Sequence, residues 1–298
     1  MKLGRLGVWI EYDEESSAFG AEFAKRVEQW GYSALWLGEA MGRDVLVSSS
    51  WLLANTSSLI VASGIANIYA RDAMAMVASQ IGLNEQSGGR FLLAMGVSHI
   101  PLVTALRGHG YGKPVATMHA YLEAMKQVQN FAPPGPEKPK TLIAALGPKM
   151  LELSRDHADG AHPYNVTPAH TAEARRILGP GKLLCVEQKV MLERDPSRAR
   201  ANARKVLQPY LQLSNYLINW RRLGFSDGDF SNGGSDRLMD AVVAWGDEDA
   251  IVSRIQQHWE AGADHVCIQT VDPDRPVGHL GIPVPDVNLL QRLATLTT

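Results

Sequence analysis

The chain has 298 residues, 45% of them hydrophobic, with 29 Lys and Arg against 31 Asp and Glu; a net charge of −2 offers no field for nucleic acid or an anionic membrane. No apolar run could span a bilayer, and Met1-Lys2-Leu3-Gly4-Arg5 lacks the long apolar region of a signal peptide. Two cysteines, Cys185 and Cys267, sit in apolar runs without metal-ligand spacing, so a cytoplasmic protein with one large core and no metal is expected.

Short apolar runs alternate with amphipathic stretches. Residues 6–10 predict a first strand, followed by a helix with Phe19, Phe23, Val27 and Trp30 on one face and Gly31 at its end. Residues 34–37 predict a second strand ending at Gly38-Glu39, residues 59–65 a third and 91–95 a fourth. A helix over about 115–131 leads into Ala132-Pro133-Pro134-Gly135-Pro136, and residues 141–145 form the fifth strand. Ala161-His162-Pro163-Tyr164 ends a short sixth strand, and residues 185–192 form the seventh. Thr167-Pro168 and Asp195-Pro196 read as helix starts, a capping oxygen followed by proline. Asp247 caps a helix with Ile251, Ile255 and Trp259 on one face, Gly262 stops it, and residues 265–269 are the eighth strand. This order predicts an α/β fold, one (β/α)8 TIM barrel over residues 1–298. Residues 209–236 are too long for a connection and carry Tyr210, Tyr216, Trp220, Phe225 and Phe230, which predicts a helical insertion before the last βα unit. The proline-rich tail, 271–298, is expected to pack across the barrel or against a partner subunit.

In such a barrel the strand ends share one rim, which would gather Glu39, residues 64–67, residues 96–99, residues 146–149 and His162 to Tyr164. Singly, each is better explained by the wetness of loops; together they favour an active site. Gly147-Pro148-Lys149 could seat a phosphate, because glycine permits close approach and the next N–H groups of the helix point outward. It could equally be an ordinary helix start. His109, His119, His157, His170 and His258 have no paired spacing and are assigned to solvent or packing, and His265 to the opposite, stabilising rim.

On these residues the chain resembles the bacterial luciferase-like oxidoreductases over about residues 3–270, most closely the actinobacterial branch that uses coenzyme F420, a 5-deazaflavin. The matching segments are Ala34-Leu35-Trp36-Leu37-Gly38-Glu39, Ser63-Gly64-Ile65-Ala66-Asn67 with Arg71, Arg90 through Gly96-Val97-Ser98, and Ile143-Ala144-Ala145-Leu146-Gly147-Pro148. The resemblance implies a cis peptide between Gly64 and Ile65 behind the cofactor ring, at a cost of about 3–4 kcal/mol. It further implies Asn67 at the ring's polar edge, Glu39 as a nearby acid, and Leu146, Gly147, Pro148 and Lys149 around the phosphate. Gly96, Val97, Ser98, Ala145 and His162 complete the expected cofactor contacts. The position after Glu39 is Ala40 where the family's sugar-phosphate dehydrogenases have histidine, and His99 stands in place of their glutamate. That points away from a sugar phosphate and leaves His99 as either an acid–base group or a cofactor contact. The expected function is F420-dependent hydride transfer with a small organic substrate, by a homodimer. The alternatives are an FMNH2-dependent monooxygenase and a non-catalytic flavin or deazaflavin binder.

Overall fold

A computed structural model describes residues 1–279 and 281–297; Leu280 and Thr298 of the tail lie outside the described residues. The strands are β1 (Leu6–Ile10), β2 (Ala34–Leu37), β3 (Ile60–Ser63), β4 (Ala66–Asn67), β5 (Phe91–Gly96), β6 (Thr141–Ile143), β7 (Gly160–Ala161), β8 (Leu183–Leu192), β9 (Val243–Gly246) and β10 (His265–Thr270). The order β10-β1-β2-β3-β5-β6-β7-β8 closes on itself because β10 also pairs with β8, giving an eight-stranded parallel barrel. β4 and β9 are additions to that wall.

The strands β1, β2, β3 and β5 are buried on both faces, as a wall covered by helices requires. Alternation sends Trp9, Trp36, Ala62, Ala94, Cys185 and Cys267 into the barrel, while Val8, Leu35, Leu37, Val61 and Leu93 pack outward under the helices. Low in the barrel, the Trp36 indole donates to His265 Nε2 (3.0 Å), and His265 Nδ1 lies 2.6 Å from the Gly4 carbonyl. Gly7 is needed there, since a Cβ would fall 2.6 Å from His265 Nε2.

Four local expectations change. The helix placed at 115–131 spans Pro114–Gln127. The stretch after Glu39 holds an unexpected helix, Val45–Ala54, and a short π-helix, Leu102–Leu106, follows β5. The insertion continues past residue 236 through the helix Asp236–Val242 and returns as β9, in parallel register with the upper half of β8. The tail packs on the barrel through the helix Val287–Leu293: Leu289, Leu290 and Leu293 are buried, and Tyr32 donates to the Leu290 carbonyl (2.7 Å).

The expected cis peptide is a correction. The described backbone contains no cis bond, so Gly64–Ile65 is trans. The chain breaks its ladder between β3 and β4, and this bend alone turns Ile65 inward. Its Cγ2 would stand 2.8 Å from a Cβ on Gly96. A trans bond that already delivers the side chain avoids the cost of the cis form.

Candidate active site

The strand ends meet as the barrel geometry demands. On one side, Glu39 after β2 is the centre of a charged brace. Arg71 holds it with Nη1 and Nη2 and reaches Asp44 Oδ2 at 2.9 Å. Glu39 also accepts from the backbone N–H of Asn67 (2.6 Å) and of Val45 (3.3 Å). Its side chain is 4% exposed and that of Arg71 9%. A carboxylate with both oxygens engaged ties β2, β4 and the helix Val45–Ala54 together. Asn67 in turn accepts from Tyr69 N–H through Oδ1 (2.9 Å), so it belongs to the same brace.

The floor of the mouth is built from absences. Gly38 and Gly64 make room for the Trp9 indole: a Cβ on Gly64 would lie 2.4 Å from Trp9 Nε1, and one on Gly38 2.9 Å from the ring. That Nε1 is buried without a partner among the described residues. Next to this floor, Ser98 adopts a left-handed backbone (φ 56°), a conformation that costs a non-glycine residue energy and recurs at working sites. His99 follows it. Burial pushes its imidazole below the usual 6.5, with a hydrogen bond that it donates to Asn215 acting the other way. Nδ1 has no partner among the described residues, and the ring stands 5.8 Å from that of Tyr216.

At the next rim position the helix Pro148–His157 begins at Gly147, which provides no side-chain cap and has open space beside its Cα. Lys149 is exposed in its first turn. The Leu146 carbonyl accepts from His170 Nε2 (2.8 Å) and from Arg222 of the insertion (3.3 Å). The helix end thus has Lys149 and Arg222 beside it, the latter from a segment the sequence reading did not connect to it and also paired with Glu173.

His162 corrects the rim assignment. It is fully buried inside the barrel, stacked on Trp36 with centroids 4.4 Å apart and bonded through Nδ1 to the Cys185 carbonyl (2.8 Å). β7 has only two residues, too short to carry the next position up to the rim. Burial pushes the imidazole down to about 4.

The far side of the mouth holds groups the sequence reading missed. Glu187 and Lys189 alternate on β8 and face inward, both fully buried and 3.2 Å apart. Lys189 Nζ also donates to Asn165 Oδ1 (2.6 Å) and lies 3.8 Å from the Tyr164 ring centroid. Tyr164 donates to Gln269 Oε1 (2.8 Å), and its oxygen is 3.0 Å from that of Tyr210. Burial lowers Lys189 to about 8 and raises Glu187. Glu11, just past β1, is raised to about 7 by burial and by Asp13, against the pull of Lys189. One signal was present: Glu187-Gln188-Lys189 in an otherwise apolar strand, which a wall buried on both faces tolerates only if the charges pair.

The insertion roofs this side. The Trp220 indole donates to the Asn165 carbonyl (3.1 Å), and rings run from Tyr164 through Tyr210 and Tyr216 to His99, neighbouring centroids 5.1–5.8 Å apart. Outside the mouth, packing of two helices brings His119, Glu123 and His157 within 4.8 Å, a grouping their spacing did not suggest. The Lys126 ammonium already occupies that carboxylate at 2.7 Å.

Known proteins resemble this chain in sequence and fold. A coenzyme F420-dependent oxidoreductase of Mycobacterium tuberculosis is 23% identical, over 91% of this chain and 95% of that one. A 5,10-methylenetetrahydromethanopterin reductase of Methanolobus tindarius is 29% identical, over 83% of this chain and 88% of its own. In fold, the chain superposes on an F420-dependent secondary alcohol dehydrogenase in complex with an F420–acetone adduct with a TM-score of 0.75, at 13% identity and covering 99% and 98% of the two chains. Residues 1–265 match the luciferase-like monooxygenase family, and with the barrel and its rim in place the chain belongs to that family.

Proposed function

We propose that the protein is an oxidoreductase that binds F420 and transfers hydride between it and a small organic substrate. The observation that carries this is the pairing, on one rim, of an uncapped helix start flanked by Lys149 and Arg222 with unpartnered buried polar atoms at Trp9 and His99. The first suits a phosphate; the second suits the polar edge of a ring. The Mycobacterium tuberculosis relative is named for coenzyme F420, which favours the deazaflavin. Leu146, Gly147, Pro148, Lys149 and Arg222 would hold the phosphate. Gly64, Ile65, Asn67, Gly96, Val97, Ser98 and Ala145 would face or back the ring. Bound F420 supplies the hydride chemistry; the chain positions it, excludes water under the insertion and moves a proton.

His99 is the proton carrier in this reading, neutral near pH 7 with Nδ1 open as acceptor. Glu39 becomes a positioning residue, since its oxygens are consumed by Arg71 and two backbone donors. The test is a titration of F420 against FMN. Tighter F420 binding is expected; tighter FMN binding would favour the monooxygenase, and tight F420 binding without turnover on any substrate the non-catalytic binder.

A homodimer belongs to the same proposal. Val47 and Trp51 lie one turn apart on the outer face of the helix Val45–Ala54, 70% and 47% exposed, while Leu46, Leu52 and Leu53 are buried on the other side. Met41 is exposed just before this helix and Met74 on the neighbouring helix Ala73–Gln86, whose Gln86 bonds Ser50 (2.8 Å). An apolar outer helix face on a rigid barrel suits a second copy of the chain. A cytoplasmic setting accords with two buried free thiols.

A further inference from the structure

Glu11 differs from every other acid around the mouth. Glu39 is braced, Glu187 is paired with Lys189, and Asp13 accepts from Gly42 N–H (2.7 Å). Glu11 forms no hydrogen bond or ion pair with any described residue, although it is half-buried beside the floor. Alternation along β1 turns it inward above Trp9, and its Cγ would lie 3.4 Å from a Cβ on Gly38. Leaving a carboxyl so placed without a partner costs stability, and an open acid in a mouth lined by Trp9, Tyr164 and Tyr210 is a group held for a ligand.

The neighbouring cation does not serve an anionic ligand. Lys189 spends its donors on Asn165, Glu187 and the face of Tyr164. At this end of the mouth, among the described residues, that leaves a carboxyl, phenols and aromatic faces. A phosphate or carboxylate substrate would meet Glu11 and Glu187 with no free counter-charge. A neutral molecule with an oxygen at the reacting carbon meets a proton donor.

We infer that Glu11 is a catalytic proton donor to substrate oxygen, and that the mouth takes a neutral carbonyl compound or the corresponding alcohol; this rests on the deazaflavin reading above. In the reducing direction hydride bonds to the carbonyl carbon, and the C=O π pair moves to oxygen. That oxygen takes the Glu11 proton as the acid's O–H bond breaks. The carbonyl would gain the two electrons that bound reduced deazaflavin would supply, and His99, with Nδ1 open, would pass the proton released there to water. Water then reprotonates Glu11. Lys189 acts through Glu11 as a positioning residue: its charge opposes the burial and the Asp13 charge that favour the protonated acid. Tyr210 closes the same space from the insertion.

Two measurements test this. In protein labelled with 13C at glutamate Cδ, one carboxyl should titrate near pH 7, vanish in Glu11→Gln and move higher in Lys189→Met. A midpoint near the ordinary 4.3 would overturn the assignment. Separately, oxidation of reduced F420 is followed with acetone, butanone, cyclohexanone and benzaldehyde. Glu11→Gln should lower turnover on the accepted compound by roughly 10²–10⁴-fold, with F420 affinity unchanged and partial rescue by Glu11→Asp. Full turnover in Glu11→Gln, or F420 binding with no carbonyl reduced by the wild type, would overturn the inference alone. Failure to bind F420 would overturn the reading beneath it.

Discussion

Removing the Arg71 guanidinium is the sharpest test of the brace around Glu39. In Arg71→Met the Glu39 carboxylate, 4% exposed, keeps only the N–H donors of Asn67 and Val45. Breaking a buried pair from one side costs about 3–5 kcal/mol, and two surviving backbone bonds place this case near the lower end. At about 2–4 °C per kcal/mol for a large domain, the melting temperature should fall by about 6–12 °C. Glu39→Gln should cost less, about 1–2 kcal/mol, because the amide oxygen can still accept from Asn67 and Arg71 retains Asp44 at 2.9 Å. The double variant should therefore be more stable than the sum of the two losses, by at least about 1 kcal/mol. Urea unfolding at pH 7.5 measures all three. A loss below about 1 kcal/mol in Arg71→Met, a larger loss in Glu39→Gln, or strict additivity would refute the argument that Glu39 is structural.

Lys149→Ala and Arg222→Met should each weaken F420 binding by roughly 10–100-fold in calorimetric titration and leave turnover at saturation nearly unchanged, since phosphate contacts are felt alike in ground and transition states. Burial holds His162, His258 and His265 neutral, at about 4, 3 and 4, whereas the unfolded chain takes up protons near 6.5. Their contribution to stability should thus be complete above pH 6.5 and be lost as the pH drops from 6.5 toward 4, outweighing the opposite effect of the raised Glu11 and Glu187 acids; urea midpoints that stay flat over that window would contradict it. Val47→Glu and Trp51→Glu should convert a dimer to monomer in sedimentation equilibrium, and a wild type that is already monomeric would dispose of the proposed interface.

The barrel was legible because parallel strands buried on both faces leave continuous apolar runs, and the rim because those runs stop at Gly38, Gly64 and Gly96. Glu39 was legible as a strand end; its captivity was not, because Arg71 and Asn67 approach it only after β4 forms. Lys189 and Glu187 were hidden for a different reason. Their burial depends on Asn165 and Tyr164, which enter from the loop after β7. No local period reports such a partner. His162 turned on a single residue of strand length, and the His119–Glu123–His157 grouping on the packing of two helices. Arg222 was out of reach until the insertion was folded down over Leu146.

The register of β8 with β9 bears on how this protein could diversify. Leu192, where the chain leaves the barrel wall, and Gly246, where it comes back, are direct Cα partners, and Glu193 N–H bonds the Gly246 carbonyl (3.0 Å). Departure and return share one address. The intervening segment is therefore an exchangeable cassette: it can lengthen, shorten or be replaced between homologues without changing the distance the wall must bridge. Because it carries Tyr210, Tyr216, Trp220 and Arg222, such an exchange would rewrite the roof of the mouth and the Arg222 contact with Leu146 together, while Trp9, Glu11 and Lys189 stay with the barrel.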